Sequence, residues 1–146
     1  YAAVATAAGL EPRLLEPRSV AVARTLDQDR ALLVDARGTN LHLTLLVDGQ
    51  PVLVDEQSFD PRGEDRREAM DRLLQRAFRY QSTLPEGAAR MAPVLLAGEL
   101  EVAPLDLPVR GTPVTQVLNG HLPQFPRGFQ AGRYLANLGL ALRAGK

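Results

Sequence analysis

Asp35 is where chemistry would start in this chain. It follows the apolar run ALLV at 31–34, and Gly38 and Thr39 come three and four residues later. A carboxylate at the end of a buried strand, beside a glycine turn, can hold a cation through water. The turn's backbone N–H groups can meet phosphate oxygens. The same pattern also makes an ordinary hairpin, in which the Asp caps its turn. Gly98 carries a similar pair of readings. It follows the apolar run APVLLA at 92–97, where a glycine lets a ligand approach the backbone or simply permits a sharp exit from the strand.

Other reactive residue types are sparse. His42 and His121 have no carboxylate or second histidine at ligand spacing, so neither makes a metal or acid–base motif. Ser19, Thr39 and Ser58 have no base at a readable spacing. There is no cysteine, which removes disulfides, thiolate catalysis and Cys-based zinc sites. Arg66, Arg67, Arg72, Arg76 and Arg79 read as a solvated helix face, since acids are interspersed with them.

These residues need elements to position them. Residues 31–59 read as three antiparallel strands, the first ending on Asp35. In the second, Leu41, Leu43, Leu45 and Val47 share one face and His42, Thr44 and Leu46 the other, the period of a half-buried strand. Asp48-Gly49 is a favoured hairpin pair, because a type I′ turn needs positive φ at both positions. From 64 to 84, Met70, Leu73, Leu74, Ala77 and Phe78 recur at helical spacing. Acids gather at the start of that helix and arginines at its end, complementing the dipole. The run 92–97 suits a central strand covered on both faces.

Outside this centre the expectations are coarser. Residues 1–8 form a helix closed by Gly9, 10–16 a short strand, and 19–26 a helix opened by Pro17. A loop-like stretch at 99–128 holds at most a short strand near 109–114. A last helix, 129–143, places Tyr134, Leu135, Leu138, Leu140 and Leu142 for burial.

With 146 residues, 45% of them hydrophobic, the chain suits about one globular domain. Seventeen basic residues balance seventeen acidic ones, so no net field invites nucleic acid or an anionic membrane. No run approaches the ~20 apolar residues of a membrane span, and the opening lacks the basic start of a signal peptide. The sequence opens on Tyr1, inside a helix-favouring stretch, and reads as a piece of a longer protein whose missing part lies upstream.

The order of meander, long helix, buried strand, further strand and final helix resembles the ribonuclease H-like half-domain of actin-like ATPases and sugar kinases. More specifically, the chain resembles the PilM family of type IV pilus assembly over nearly its whole length. AAGLEPRLLEPRSVAVARTL is similar to that family's AGL turn, strand and Ala/Leu-rich helix. ALLVDARGTNLHLTLLVDGQPVL resembles its Asp-bearing hairpin. LLQRAFRYQSTLP, VLLAGEL and GRYLANLGLALRAG resemble its long helix, its glycine turn and its closing helix. The chain departs from the pattern in places: Arg37 stands where the family's turn has glycine, Glu99 replaces the second glycine of the adenosine turn, and the family's Arg and Gly-Gly after the third strand are not apparent in DEQSFDPRGED.

The resemblance implies an α/β fold of ribonuclease H-like type: residues 31–146 form the subdomain, and 1–30 the end of a preceding helix with a connecting strand and helix. It implies a cytoplasmic scaffold held at the inner membrane through the N-terminal peptide of a PilN-like partner, among other pilus-assembly components, with weak or degenerate nucleotide binding. Any ATP would meet Asp35, Gly38, Thr39 and Gly98, with Mg²⁺ at Asp35. An active ATPase or sugar-kinase-like half-domain, and a GspL-like cytoplasmic domain of type II secretion, are the alternative expectations.

Overall fold

The computed structural model describes residues 2–9, 16–60, 62–63, 65–85, 90–101, 110–118, 122, 125–126, 128–129 and 131–144. At its centre lies a mixed sheet of five strands: β1 (Ala31–Arg37), β2 (Asn40–Val47), β3 (Gln50–Ser58), β4 (Val94–Gly98) and β5 (Gly111–Pro113). Their spatial order is β3-β2-β1-β4-β5. The first three form an antiparallel meander, and β4 runs parallel to both β1 and β5. The expected meander is present, although β1 continues two residues beyond Asp35.

The two hairpin loops have different causes. At 48–49, Asp48 (φ 52°) and Gly49 (φ 69°) both adopt positive φ, as a type I′ turn demands. At 38–39 only Gly38 is positive (φ 56°), the Gly-first pattern of a two-residue hairpin loop.

Strand alternation sends side chains to two separate cores. Leu32, Val34 and Ala36 of β1 join Leu41, Leu43 and Leu45 of β2 on one face. There they meet the long helix Arg66–Ser82 through Ala69, Met70, Leu73, Leu74 and Ala77. The helix starts where Asp65 accepts a hydrogen bond from the backbone N–H of Arg67 at 2.9 Å, an N-cap worth about 1 kcal/mol. Each buried leucine here contributes roughly 2–3 kcal/mol.

On the opposite face, Ala31 and Leu33 of β1 and Leu95 and Ala97 of β4 pack with Val22, Ala23, Leu26 and Leu135. These come from helix α1 (Arg18–Ala23), the turn after it, and helix α2 (Leu135–Ala144). A further short helix spans Ala2–Ala7. All five residues of β4 are buried, as a strand covered on both faces must be. The expected strand at 10–16 lies outside the described residues except for Glu16, and His121 lies outside them too. No described helix is long and apolar enough to cross a membrane.

The final helix departs from expectation. It begins as a 3-10 turn at Ala131–Tyr134 before α2 proper. Leu135 is buried, whereas Tyr134 and Leu140 are exposed. The Tyr134 ring stacks instead on Phe129, which stacks on Phe125.

Candidate functional site

The parallel pair β1 and β4 brings Asp35 beside Ala97 and Ala36 beside Gly98. Their carboxyl ends are where open α/β sheets place ligands. Asp35, Gly38 and Gly98, widely separated or merely adjacent in sequence, thus meet at one end of the sheet.

Asp35 is buried, with only 4% of its side chain exposed. Its oxygens face two guanidiniums. Arg18 Nη2, from the first residue of α1, donates to Oδ2, and Arg37 Nε donates to the same oxygen at 3.0 Å. A buried carboxylate needs such partners, because an uncompensated one costs several kcal/mol. Neither the turn cap nor the metal ligand of the two sequence readings describes this arrangement. A Mg²⁺ ion at Asp35 would lie against two positive charges already in contact with it, so the residues as folded do not fit that ion. Among the described residues, no group of three or more His, Asp or Glu side chains could hold a metal.

Gly98 is required on two counts. Its φ is +66°, and a Cβ there would overlap Asp35 Oδ1 and lie 2.5 Å from the carbonyl oxygen of Ala36. The close approach is to the chain's own carboxylate.

The Gly38 turn is likewise engaged internally. The Gly38 N–H donates to Glu99 Oε1 at 2.7 Å, and Glu99 Oε2 lies 3.1 Å from Arg66 Nη2. Arg66 therefore belongs to this end of the sheet as well as to its helix. Thr39 is exposed in the turn, and its carbonyl accepts the Phe59 N–H at 3.0 Å.

Two clefts flank Asp35. One, about 190 Å³, is lined by Ala36, Arg37, Gly98, Glu99 and Arg133. The other, about 260 Å³, lies between α1 and the sheet and includes Arg18, Ser19, Asp35, His42, Thr44 and Glu56. His42, without a partner in the sequence reading, has its Nδ1 3.5 Å from Glu56 Oε2. Burial pushes the His42 imidazole below its usual pKa, and the Arg18 charge adds to this, while Glu56 opposes it. Ser58 donates to Asn40 Oδ1 at 2.7 Å.

Arg18, Arg66 and Arg133 are the participants that sequence spacing missed. Only the departure of Glu99 from the family pattern hinted at the second ion pair. No protein-family model matches the chain, and no curated protein matches it significantly.

Proposed function

We propose that this chain is a ribonuclease H-like, actin-fold scaffold of the PilM type, acting in type IV pilus assembly by protein–protein contact rather than by nucleotide turnover. The strand order β3-β2-β1-β4-β5, with an antiparallel meander and β4 parallel to β1, supports the fold assignment. The assembly role is supported by the sequence motifs quoted above.

One observation carries the non-catalytic reading. The groups that would receive phosphate and metal are occupied by the chain's own charges: Asp35 by Arg18 and Arg37, the Gly38 N–H by Glu99. Mg·ATP binding would have to break these ion pairs, and leaving a buried charge without its partner costs about 3–5 kcal/mol. That lowers affinity by at least two orders of magnitude. In this reading the protein works at the cytoplasmic face of the inner membrane, recruited by the N-terminal peptide of a PilN-like membrane protein.

Calorimetric titration tests it. The chain should bind a synthetic peptide of that cytoplasmic segment saturably, and Mg·ATP no more tightly than about 1 mM. Micromolar Mg·ATP affinity that disappears in Asp35→Ala would instead establish the ATPase reading. Failure to capture the peptide would remove the pilus assignment.

A further inference from the structure

We propose that the outer edge of β3 is a docking site for an extended segment of another protein, which adds antiparallel to the sheet and sets a lysine or arginine opposite Glu56. The inference stands on the strand edge itself and does not depend on the pilus reading.

Backbone direction is the first argument. The two-residue loop at 38–39 makes Arg37 and Asn40 a hydrogen-bonded pair. Alternation along β2 then turns the peptide groups of His42 and Thr44 toward β1, and those of Leu41, Leu43 and Leu45 toward β3. Their partners in β3 are Gln57, Asp55 and Leu53, so the N–H and C=O groups of Val54 and Glu56 point away from the sheet. No strand lies on that side of β3 among the described residues.

The chain caps this edge at two points. Tyr80 donates its hydroxyl to the Val52 carbonyl at 3.2 Å. Asp55, held by Arg76 Nε at 2.7 Å, accepts the Glu56 N–H at 2.9 Å. Caps of this kind limit indiscriminate strand pairing. Val54 lies between them with both of its backbone groups outward, and a residue facing it antiparallel exchanges two hydrogen bonds with it.

Side-chain rows are the second argument. Across the sheet, Val54 leads inward to Thr44 and Leu33, and Glu56 leads to His42 and Asp35. An added strand extends both rows. Val54 is 59% exposed, an apolar surface for the side chain that would face it. The cleft of about 260 Å³ opens beside it, with Val22 and Leu33 also in its lining, so a long apolar side chain opposite Val54 has room to reach inward.

Charge then selects the occupant. Glu56 is exposed, and its ion-pair neighbour among the described residues is His42 at 3.5 Å, whose burial favours the neutral ring. Arg18 lines the same cleft but is engaged with Asp35. Residues 50–58, QPVLVDEQS, hold two acids and no base. A second copy of β3 paired about Val54 would set Val52, not a cation, opposite Glu56. The complementary occupant is therefore a different chain. Read in its own direction, it presents Lys or Arg and, two residues later, an apolar side chain.

The test is an amide-resolved NMR titration of the whole chain with the blocked peptide TKTLTVT, whose lysine and leucine fall opposite Glu56 and Val54. Saturable shifts at the Val54 and Glu56 amides are expected. The same peptide N-methylated at its leucine cannot donate to the Val54 carbonyl and should lose binding. Glu56→Lys should weaken TKTLTVT about tenfold, as like charges replace a cross-strand pair, and should bind TETLTVT in its place. Glu56 is at the surface, so this variant retains the fold, which the remaining amide shifts verify. No saturable shift at the β3 amides overturns the proposal. So does binding that is indifferent to N-methylation or to the exchange of charge at Glu56. A concentration-dependent dimer of the chain alone, with the same β3 amides shifted, would assign the edge to a second copy and equally overturn it.

Discussion

A Cβ on Gly98 has no room, because the Asp35 carboxylate, held by Arg18 and Arg37, lies against that position. Glycine, carboxylate and guanidiniums are therefore one steric and electrostatic unit. Gly38 provides a comparison: it too has positive φ, but a Cβ there would meet nothing within 4 Å. Gly38→Ala should cost only the left-handed backbone penalty, about 1–2 kcal/mol. Gly98→Ala adds displacement of a buried ion pair, so its cost should reach about 3–5 kcal/mol. Urea unfolding of the two variants measures the gap, and equal losses would show that Asp35 yields freely. A buried, chemically special Asp35 was legible in the sequence. Its partner Arg18 was not, because it is seventeen positions away and comes from a helix packed on the sheet.

The contact between α1 and α2 depends on a different glycine. A Cβ on Gly139 would overlap the carbonyl oxygen of Ala21 and lie 2.5 Å from its carbon, so the two helices touch backbone to backbone. The Gly139 carbonyl also accepts from Arg24 Nη1 at 2.8 Å. Gly139→Ala gains up to about 1 kcal/mol of helix propensity but must force the helices apart. A net destabilisation of about 2–4 kcal/mol is expected. Leu140→Ala, at an exposed position, should change stability by less than about 1 kcal/mol. Thermal unfolding of both variants checks the order, and a larger loss at Leu140 would reverse this account of the interface. Leucine periodicity identified the helix but not its contact line, because the closest approach is made by the residue without a side chain. The meander had a similar blind spot. Counting back from the Asp48-Gly49 turn pairs His42 with Asp55. The irregularity between Leu45 and Leu46, opposite Pro51, instead sets His42 across from Glu56. Proline is accommodated in sheets at edge strands and bulges, and β3 is an edge strand. The cause was in the sequence; its effect on register emerges only once the strands pair.

At the scale of the whole molecule, the segment ahead of α1 is fastened to both helices of one layer by a single carboxylate. Glu16 accepts from Arg24 Nη1 and Nη2 at 2.8 and 3.1 Å, and from Arg143 Nη1 at 2.7 Å. The Arg24 hydrogen bonds are the main reason its pKa falls from 4.5 to about 2; burial opposes the shift and Arg143 reinforces it. The folded state therefore binds this proton more weakly than the unfolded chain does. The stabilisation is complete above about pH 4.5 and fades as the pH falls toward 2. His42 acts in a separate window. Its lowered pKa favours the neutral ring in the folded state, so stability declines once the pH drops below the unfolded value near 6.5. Urea midpoints measured from pH 7 to pH 2 separate the two. Glu16→Gln should be less stable than wild type at neutral pH, keep the decline beginning near 6.5, and converge on wild type between about pH 4.5 and 2. Charge accumulation on the rest of the chain is common to both proteins and cancels in the difference. A gap that stays constant down to pH 2 would mean that Glu16 holds these helices through packing rather than through its charge.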